Sequence, residues 1–588
     1  MTSKVIALQI KAGIQRDGTQ FASPTYIDGK WCRFHNGLPK KMGGYKGIFP
    51  SASGISRGMT LSSQNGLTYV FSGQSDNLYQ YITDNDDGIG SGPYPCTVTG
   101  LSANANNLWQ FDIGYDSTGN GQNNIIAHAG QNLQYIDSTT NTRPFYGPFT
   151  GTTLAPVGVF TATGTLTSGS PTVTFATTIV AIGPGVSVTG TGIPANTTVV
   201  SANTVGGVWT VTLNNNATAS GAKTLTFDNN IQVSGGVVML YPYLFVYGNN
   251  GLIQNCSAGD FNNWTSADSN ANNVASTKVV KGLPLRGGTT SPAGLFWTLD
   301  SVVRVTYAPQ SVGTSTLYWR YDLITQQSSI MSSSCVIEYD GLYFWMGVDR
   351  FLMYDGVVRE IENTQNLNWV FDNINFSQRQ KVWCTKVPRW GEIWWFYPRG
   401  NATECTDAVI YNVRTKSWYD VGSADGARRS AGTFSEVFHY PIWAGYDQNS
   451  LGLYTLWQHE TGVNSVFTNH VDAVDSYIET NTLGQQAGLV GSTQQPGDNV
   501  WTRCERIEPD FVQSEQMYVV VKGKGYADDI DQSSDPYYFD PTTLKIDMRE
   551  QRREMRLRFG SNIVNGNYYM GKVLLSLDTG DVRGTGNP

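Results

Sequence analysis

Leu342-Tyr-Phe-Trp345 and Phe351-Leu352-Met353-Tyr354, two aromatic runs parted by a short turn with Gly347 and Asp349, form the unit on which the fold is read. The unit recurs along the chain. It reads Tyr69-Val-Phe71 then Leu78-Tyr79-Gln80-Tyr81, Ile125-Ile126 then Leu133-Gln134-Tyr135, and Tyr243-Leu-Phe-Val-Tyr247 then Leu252-Ile253. It returns as Leu295-Phe-Trp297 then Val302-Val-Arg-Val305, Ile393-Trp-Trp-Phe396 then Ala408-Val-Ile410-Tyr411, and Ile442-Trp443-Ala444 then Leu453-Tyr454. Anchored on Leu78, Leu133, Leu252, Val302, Leu352, Ile410 and Leu453, the units lie 43–58 residues apart, except for one gap of 119.

Units of about 50 residues that can each supply four strands fit the blades of a β-propeller. Such a sheet is too small to bury both faces alone and gains stability by stacking on its neighbours. Seven anchors imply six or seven blades, with the aromatic run as a central strand. Each large side chain buried between sheets contributes about 2 kcal/mol or more. An irregular series of hairpins in a sandwich is the alternative that the residues leave open.

The long gap holds an insertion. From Pro144 to Ala222 there is no Asp, Glu, Lys or Arg, and short β-branched runs such as Val186-Ser-Val188 and Val208-Trp-Thr-Val-Thr-Leu213 alternate with Gly, Pro and Asn. That pattern reads as a small antiparallel, Ig-like β-sandwich set into the propeller. The organisation is therefore 1–55 as a basic N-terminal docking segment, 56–155 and 229–465 as the two propeller parts, 156–228 as the insert, and 466–588 as a C-terminal β-sandwich. The fold class is all-β.

Composition agrees with that reading. Of 588 residues, 15% are charged, while 64 are Gly, 31 Tyr and 16 Trp. Disorder needs more charge and fewer aromatics, and helical bundles favour Ala, Glu, Lys, Leu and Arg. The 39 Lys and Arg against 47 Asp and Glu give a net charge of −8. Residues 1–50 hold eight basic and two acidic residues, a local +6. That asymmetry suggests a basic segment attached to an acidic body. In the last part, Arg556 and Arg558 alternate with Met555, Leu557 and Phe559, so one strand face is buried and the other carries two guanidinium groups. Cross-strand pairing with Asp or Glu is the commoner use of such a row, and docking onto an acidic partner the other.

The apolar run at the start is broken by Gln9 and ended by Lys11, too short for a signal-peptide core, and no apolar stretch is long enough to span a bilayer. The seven cysteines lack any C-x-x-C pair and read as buried free thiols in a reducing compartment. The five histidines show no metal-ligand spacing. Asp84-Asn-Asp86-Asp87-Gly88 lacks a calcium-loop register, and the acidic run from Asp528 to Asp540 gives calcium no directed site. Val521-Lys-Gly-Lys-Gly525 lacks the end of a P-loop. Asp349, Glu360 and Glu362 are the carboxylates that a propeller glycosidase could use, although surface acids beside core aromatics explain them as well. The expectation is no catalytic residue, no cofactor, no metal and no enzymatic activity.

Gly29-Lys-Trp31-Cys-Arg33-Phe34-His-Asn36-Gly37-Leu-Pro39-Lys40-Lys41-Met-Gly43-Gly44-Tyr45 resembles the opening of the tail-nozzle and DNA-stabilisation proteins of short-tailed bacteriophages (podoviruses). Asp260-Phe-Asn-Asn-Trp264 is similar to a segment within their propellers, and the ending from Arg556 through Tyr568 to Gly580-Asp581-Val-Arg583 looks like their close. The likeness spans most of the chain outside the insert. It implies a virion tail protein made in the host cytoplasm, a homohexameric ring below the portal and adaptor ring. It further implies contacts with tail fibres or a tail needle and transient passage of double-stranded DNA. Arg33, Lys40, Lys41, Arg556 and Arg558 are the expected partner-docking residues. The alternative is a propeller-based receptor or glycan-binding tail protein, with or without hydrolysis.

Overall fold

The computed structural model describes residues 4–579 other than 20–22, 65–66, 76, 84–89, 97–107, 118–121, 130–132, 138–150, 154–158, 180–181, 183–185, 229–232, 262, 265, 287–291, 313–314, 435–437, 447–452, 468–469, 484–500 and 526–528. The chain forms two compact units, one of Phe49–Ile361 with Asp447–Tyr454, the other of Met1–Ile48, Glu362–Tyr446 and Thr455–Pro588. Asp84–Gly88, Asp528 and Gly580–Arg583 lie outside the described residues. Among the described residues no helix is long and apolar enough to cross a membrane.

The first unit holds five four-stranded antiparallel sheets whose strands pair in chain order. Their second strands are Leu67–Gln74, Gln122–His128, Tyr243–Tyr247, Ala293–Thr298 and Leu342–Met346. Two further sheets lie in the second unit: one of four strands in chain order, with second strand Glu392–Tyr397, and one of six strands whose first three, with Ile442–Tyr446 second, pair in chain order. Each of these seven sheets has the build of a β-propeller blade. The second strand of each is hydrogen-bonded on both sides, and Tyr243–Tyr247, Ala293–Thr298 and Glu392–Tyr397 are buried along their whole length. Six of the seven anchor residues sit in third strands, and Leu453 directly precedes the seventh, Tyr454–His459.

Aromatic contacts join neighbouring sheets within each unit. Phe245 meets Phe296 at 5.9 Å and Trp297 meets Trp345 at 5.6 Å, linking the third, fourth and fifth blades. Trp383 and Trp394 lie 6.2 and 5.3 Å from Trp443, linking the sixth and seventh. Where a ring comes closest, glycine leaves the space: a Cβ on Gly73 would stand 2.1 Å from the Trp109 ring. After the third blade's Leu252–Asn255 strand, the Trp264 indole donates to the Phe261 carbonyl at 2.8 Å. All seven cysteines are buried and free.

The insert is a barrel of six antiparallel strands from Val159–Leu166 to Gly221–Asp228. Those two strands pair along eight residues, and each pairs on its other edge with a further strand, so the ring of strands closes. Closure leaves no free edge for a neighbour to pair with. Its core, with Val173, Phe175, Val188, Val211, Leu225 and Phe227, is its own.

In the second unit the N-terminal segment is built into the sheets instead of standing apart as a segment of its own. Lys4–Ala7 pairs with Leu574–Leu577, and Asp28–Lys30 with Tyr477–Glu479, in a nine-stranded sheet built on the long strand Ile546–Ser561. Cys32–His35 and Leu38–Lys41 form a hairpin that continues through Tyr568–Met570 to Phe511–Gln513. Tyr45–Gly47 then supplies the fourth strand of the seventh blade, pairing with Trp457–His459. Residues from the chain's start thus complete both sheets of the terminal sandwich and the last blade.

Closure by the N-terminal strands predicts the cost of a single methyl group at Gly44, where a Cβ would lie 2.2 Å from the Asn464 carbonyl oxygen. Gly44→Ala should destabilise this unit by about 1–3 kcal/mol, read as a lower denaturant midpoint in tryptophan fluorescence. An unchanged midpoint would show that the backbones do not need this approach.

Candidate interaction site

The hairpin that carries the 29–45 string turns at Asn36-Gly37, with φ of 51° and 81°, the left-handed pair that a two-residue hairpin requires. Its register sets Arg33 opposite Lys40 and Cys32 opposite Lys41. Side chains alternate between faces, so Cys32, Phe34 and Lys41 share one face while Arg33, His35 and Lys40 share the other.

Arg33 is 1% exposed and sits between two carboxylates. Its Nη1 and Nη2 donate to Glu460 at 2.5 and 2.6 Å, and Nη2 donates to Glu392 at 3.0 Å. Glu392 also accepts from the Tyr419 hydroxyl at 2.7 Å and the Trp394 indole at 2.9 Å, and Glu460 from the Trp390 indole at 3.0 Å. Burial pushes the Glu392 carboxyl above the usual carboxylate range, against the pull of Arg33 and its other donors. A buried trio of this kind is costly to break, because the partner left behind is an unpaired buried charge.

Outside the trio lies Trp390, half-buried at the turn between Trp383–Val387 and Glu392–Tyr397. The Arg33 guanidinium, the Lys40 ammonium and the Arg389 guanidinium stand 4.8, 4.7 and 5.1 Å from its ring centre, with His35 edge-on at 5.2 Å. Lys40 also faces Tyr569 at 5.9 Å. Arg414 is exposed, and it donates to the carbonyls of Pro388 and Arg389 at 2.7 and 3.0 Å, bracing the turn. Among the described residues, no carboxylate lies within ion-pairing distance of Lys40, Arg389 or Arg414. The crowding of like charge is felt: burial first, then Lys40, Arg33 and Arg414, pull the His35 imidazole below its ordinary value. Burial, Arg33 and Arg389 lower Lys40 likewise. Lys40, Arg389 and Arg414, outside the trio and without a paired carboxylate of their own, suit an anionic group presented from outside.

Of the expected docking residues, only Lys40 belongs to this surface. Arg33 is buried in the trio. Lys41 is 2% exposed and donates to the Gly566 carbonyl at 2.6 Å. Arg556, 2% exposed, pairs with Glu479 at 3.3 Å and with Asp531. Arg558 pairs with Glu479 and Asp28, each at 2.7 Å, over the Tyr477 ring. A docking role for Arg33, Lys41 and Arg556 is therefore corrected to internal pairing, and the arginine row is a cross-strand ion network. Arg389, Trp390 and Arg414 were not singled out from sequence. Their signal was the tight Pro388-Arg389-Trp390-Gly391 turn, with Gly391 at φ 71°.

The candidate sugar-cleaving carboxylates are not built into a site. Asp349 and Glu360 are both exposed and share Arg350, at 3.5 and 3.7 Å. Among the described residues no group of three His, Cys, Asp or Glu could hold a metal ion. In the C-terminal acidic run, Asp540 caps its own turn by accepting from Thr542 and Thr543.

No protein-family model matches the chain, and no curated protein does. Solved structures do match. Two variants of an exo-β-1,3-galactanase from Phanerochaete chrysosporium, each with β-1,3-galactotriose, are 10% identical, with TM-scores of 0.24 and 0.25. Both cover 91% of this chain, which spans 99% and 100% of theirs. A glycoside hydrolase, also 10% identical, covers 88% of this chain and 98% of its own, with a TM-score of 0.22. The expectation of a protein without enzymatic activity is withdrawn on this finding, since the structures matched are enzymes. Superpositions this loose carry no argument for an activity of this chain either.

Two substitutions test the buried groups. Arg33→Ala leaves Glu392 and Glu460 without their cation, and should cost about 3–5 kcal/mol in urea denaturation; a loss below ~1 kcal/mol would contradict the trio's role. Burial lowers the Lys41 ammonium to about 8. Between about 8 and the ordinary lysine value the folded chain binds fewer protons than the unfolded one, so stability rises with pH through that window. Lys41→Met should abolish this rise and gain about 1–3 kcal/mol at pH 7. An unaltered pH profile would contradict the burial of a lysine there.

Proposed function

We propose that this chain is a structural subunit of a short bacteriophage tail. It would be one member of a ring below the portal and adaptor that retains packaged double-stranded DNA and conducts it on ejection. The observation that carries the reading is the part played by the 29–45 string in the fold. The Trp31 indole donates to the Gly43 carbonyl at 3.0 Å, and its ring meets Tyr45 and Trp394 edge-on at 5.9 and 6.0 Å. A Cβ on Gly43 would lie 2.6 Å from the Glu460 Cα, in the residue that holds Arg33. The residues that carry the resemblance are thus the ones that close the last blade and the terminal sandwich of this chain. The net charge of −8 suits a conduit, because a wall that does not bind a polyanion lets it slide.

A second reading is a propeller that binds glycans, with or without hydrolysis. It draws support from half-exposed Trp390 beside Lys40 and Arg389, since aromatic faces stack on sugar rings and cations pair with the carboxylates of acidic sugars.

Antibody-gold labelling of intact particles from the producing lysate, imaged in negative stain, separates the two. The expected result is label on the axis of a short tail in every particle. Label on peripheral fibres, together with binding of the isolated protein to an array of acidic glycans, would move the assignment to the second reading. Unlabelled particles, with the epitope shown to be accessible, would remove the virion reading.

A further inference from the structure

The surface around Trp390 has a complement elsewhere on the same unit. Beyond the strand Met517–Lys524, the segment 529–545 forms one border of the nine-stranded sheet, with Gln532–Ser533 and Tyr537–Phe539 each pairing only with that strand. Ile530, Tyr538 and Leu544 are 82%, 59% and 86% exposed there, among the most exposed large apolar side chains of the chain. Asp529, just before Ile530, and Asp535 stand exposed beside them, with no cation in ion-pairing distance among the described residues. Pro536 and Pro541 bracket the three-residue edge strand and stop a neighbouring strand from extending the ladder. What this border offers a partner is therefore side chains: apolar groups among unpaired carboxylates.

We infer that copies of this chain bind one another head to tail, the Lys40–Arg389–Trp390–Arg414 surface of one against the Asp529–Leu544 border of the next. The unpaired cations meet unpaired carboxylates, and the indole meets the exposed apolar side chains. Each surface thereby receives what its own molecule withholds. Because the two surfaces differ, the contact is heterologous, and repetition closes into a ring or runs on as a filament. The inference deepens the ring reading, and only the closure into a ring rests on that reading. A second copy is favoured over a nucleic acid because phosphates would pair with the cations but leave the acidic, apolar border uncovered.

The test is a charge swap on the full chain. Wild-type protein in about 0.05 M salt should show concentration-dependent oligomers by sedimentation velocity and native mass spectrometry, weakened at least ~10-fold in about 0.5 M salt. R389E/R414E and D529R/D535R should each remain monomeric. An equimolar mixture of the two should assemble again, since each reversed surface now faces its opposite, and that rescue shows both variants are folded. Wild type that stays monomeric to about 100 μM, oligomers that neither variant disturbs, or a mixture that fails to assemble would overturn the inference. So would a monomeric wild type that retards duplex DNA and loses the shift in R389E/R414E, which would make the surface a phosphate site. Assembly with no label on particles would remove the tail reading and leave the contact standing.

Discussion

Arg33 joins three parts of the chain that are far apart in sequence. It lies on the N-terminal hairpin, Glu392 begins the second strand of the sixth blade, and Glu460 follows the third strand of the seventh. Two carboxylates against one guanidinium leave a buried excess of one negative charge. Hydrogen bonds from Tyr419, Trp394 and Trp390 spread it, and Lys40 stands beyond the Trp390 ring, where the charge of Glu460 favours its ammonium. The chain's start is thereby held against the blades by an interaction that no single segment could make. Gly43 and Gly44 follow from it, because the backbone after the hairpin must pass against Glu460 and Asn464 without side chains.

Arg429 is a contrast in the same unit. It is 1% exposed, yet its side-chain partners are the His459 imidazole at 2.8 Å and the rings of Tyr45 and Trp457, each at 4.9 Å. Without a carboxylate in contact, burial pushes its guanidinium down to about 10, while the same charge and burial hold His459 well below its ordinary value. Aromatic faces contact Arg429 where carboxylates pair with Arg33, and they do not offset its burial as Glu392 and Glu460 do for Arg33. The seventh blade therefore depends on Tyr45 twice, as a strand residue pairing with His459 and as a face for Arg429.

The blades were legible because their signal is local. Runs such as Ile393-Trp-Trp-Phe396 must be buried on both faces, and a period of about 50 residues follows from four short strands and their turns. The fourth strand of the seventh blade was not legible, since Tyr45–Gly47 lies some four hundred residues before its partner and three residues carry no period. Charge was misleading for a related reason. The excess of basic residues in 1–50 looked like a docking surface, but Arg16 pairs with Asp28 and Asp420, Lys30 with Asp475, and Arg33 with Glu392 and Glu460. A segment's net charge describes its surface only when its partners lie within the segment, and here the fold supplies most of them from Glu392, Asp420, Glu460 and Asp475.

What remains exposed after that internal pairing is informative in a way the raw sum was not. Lys40, Arg389 and Arg414 come from a hairpin and two blade turns, and they are held by carbonyl oxygens and by rings instead of acids. Like charges kept together by backbone geometry repel in the isolated molecule, as the lowered His35 and Lys40 attest. The chain has a surplus of acids, so leaving these cations unpaired is not forced by composition. Bringing an anionic surface to them relieves the repulsion and gains the Coulomb attraction together, which makes this turn more responsive to a partner than an equal number of scattered lysines would be.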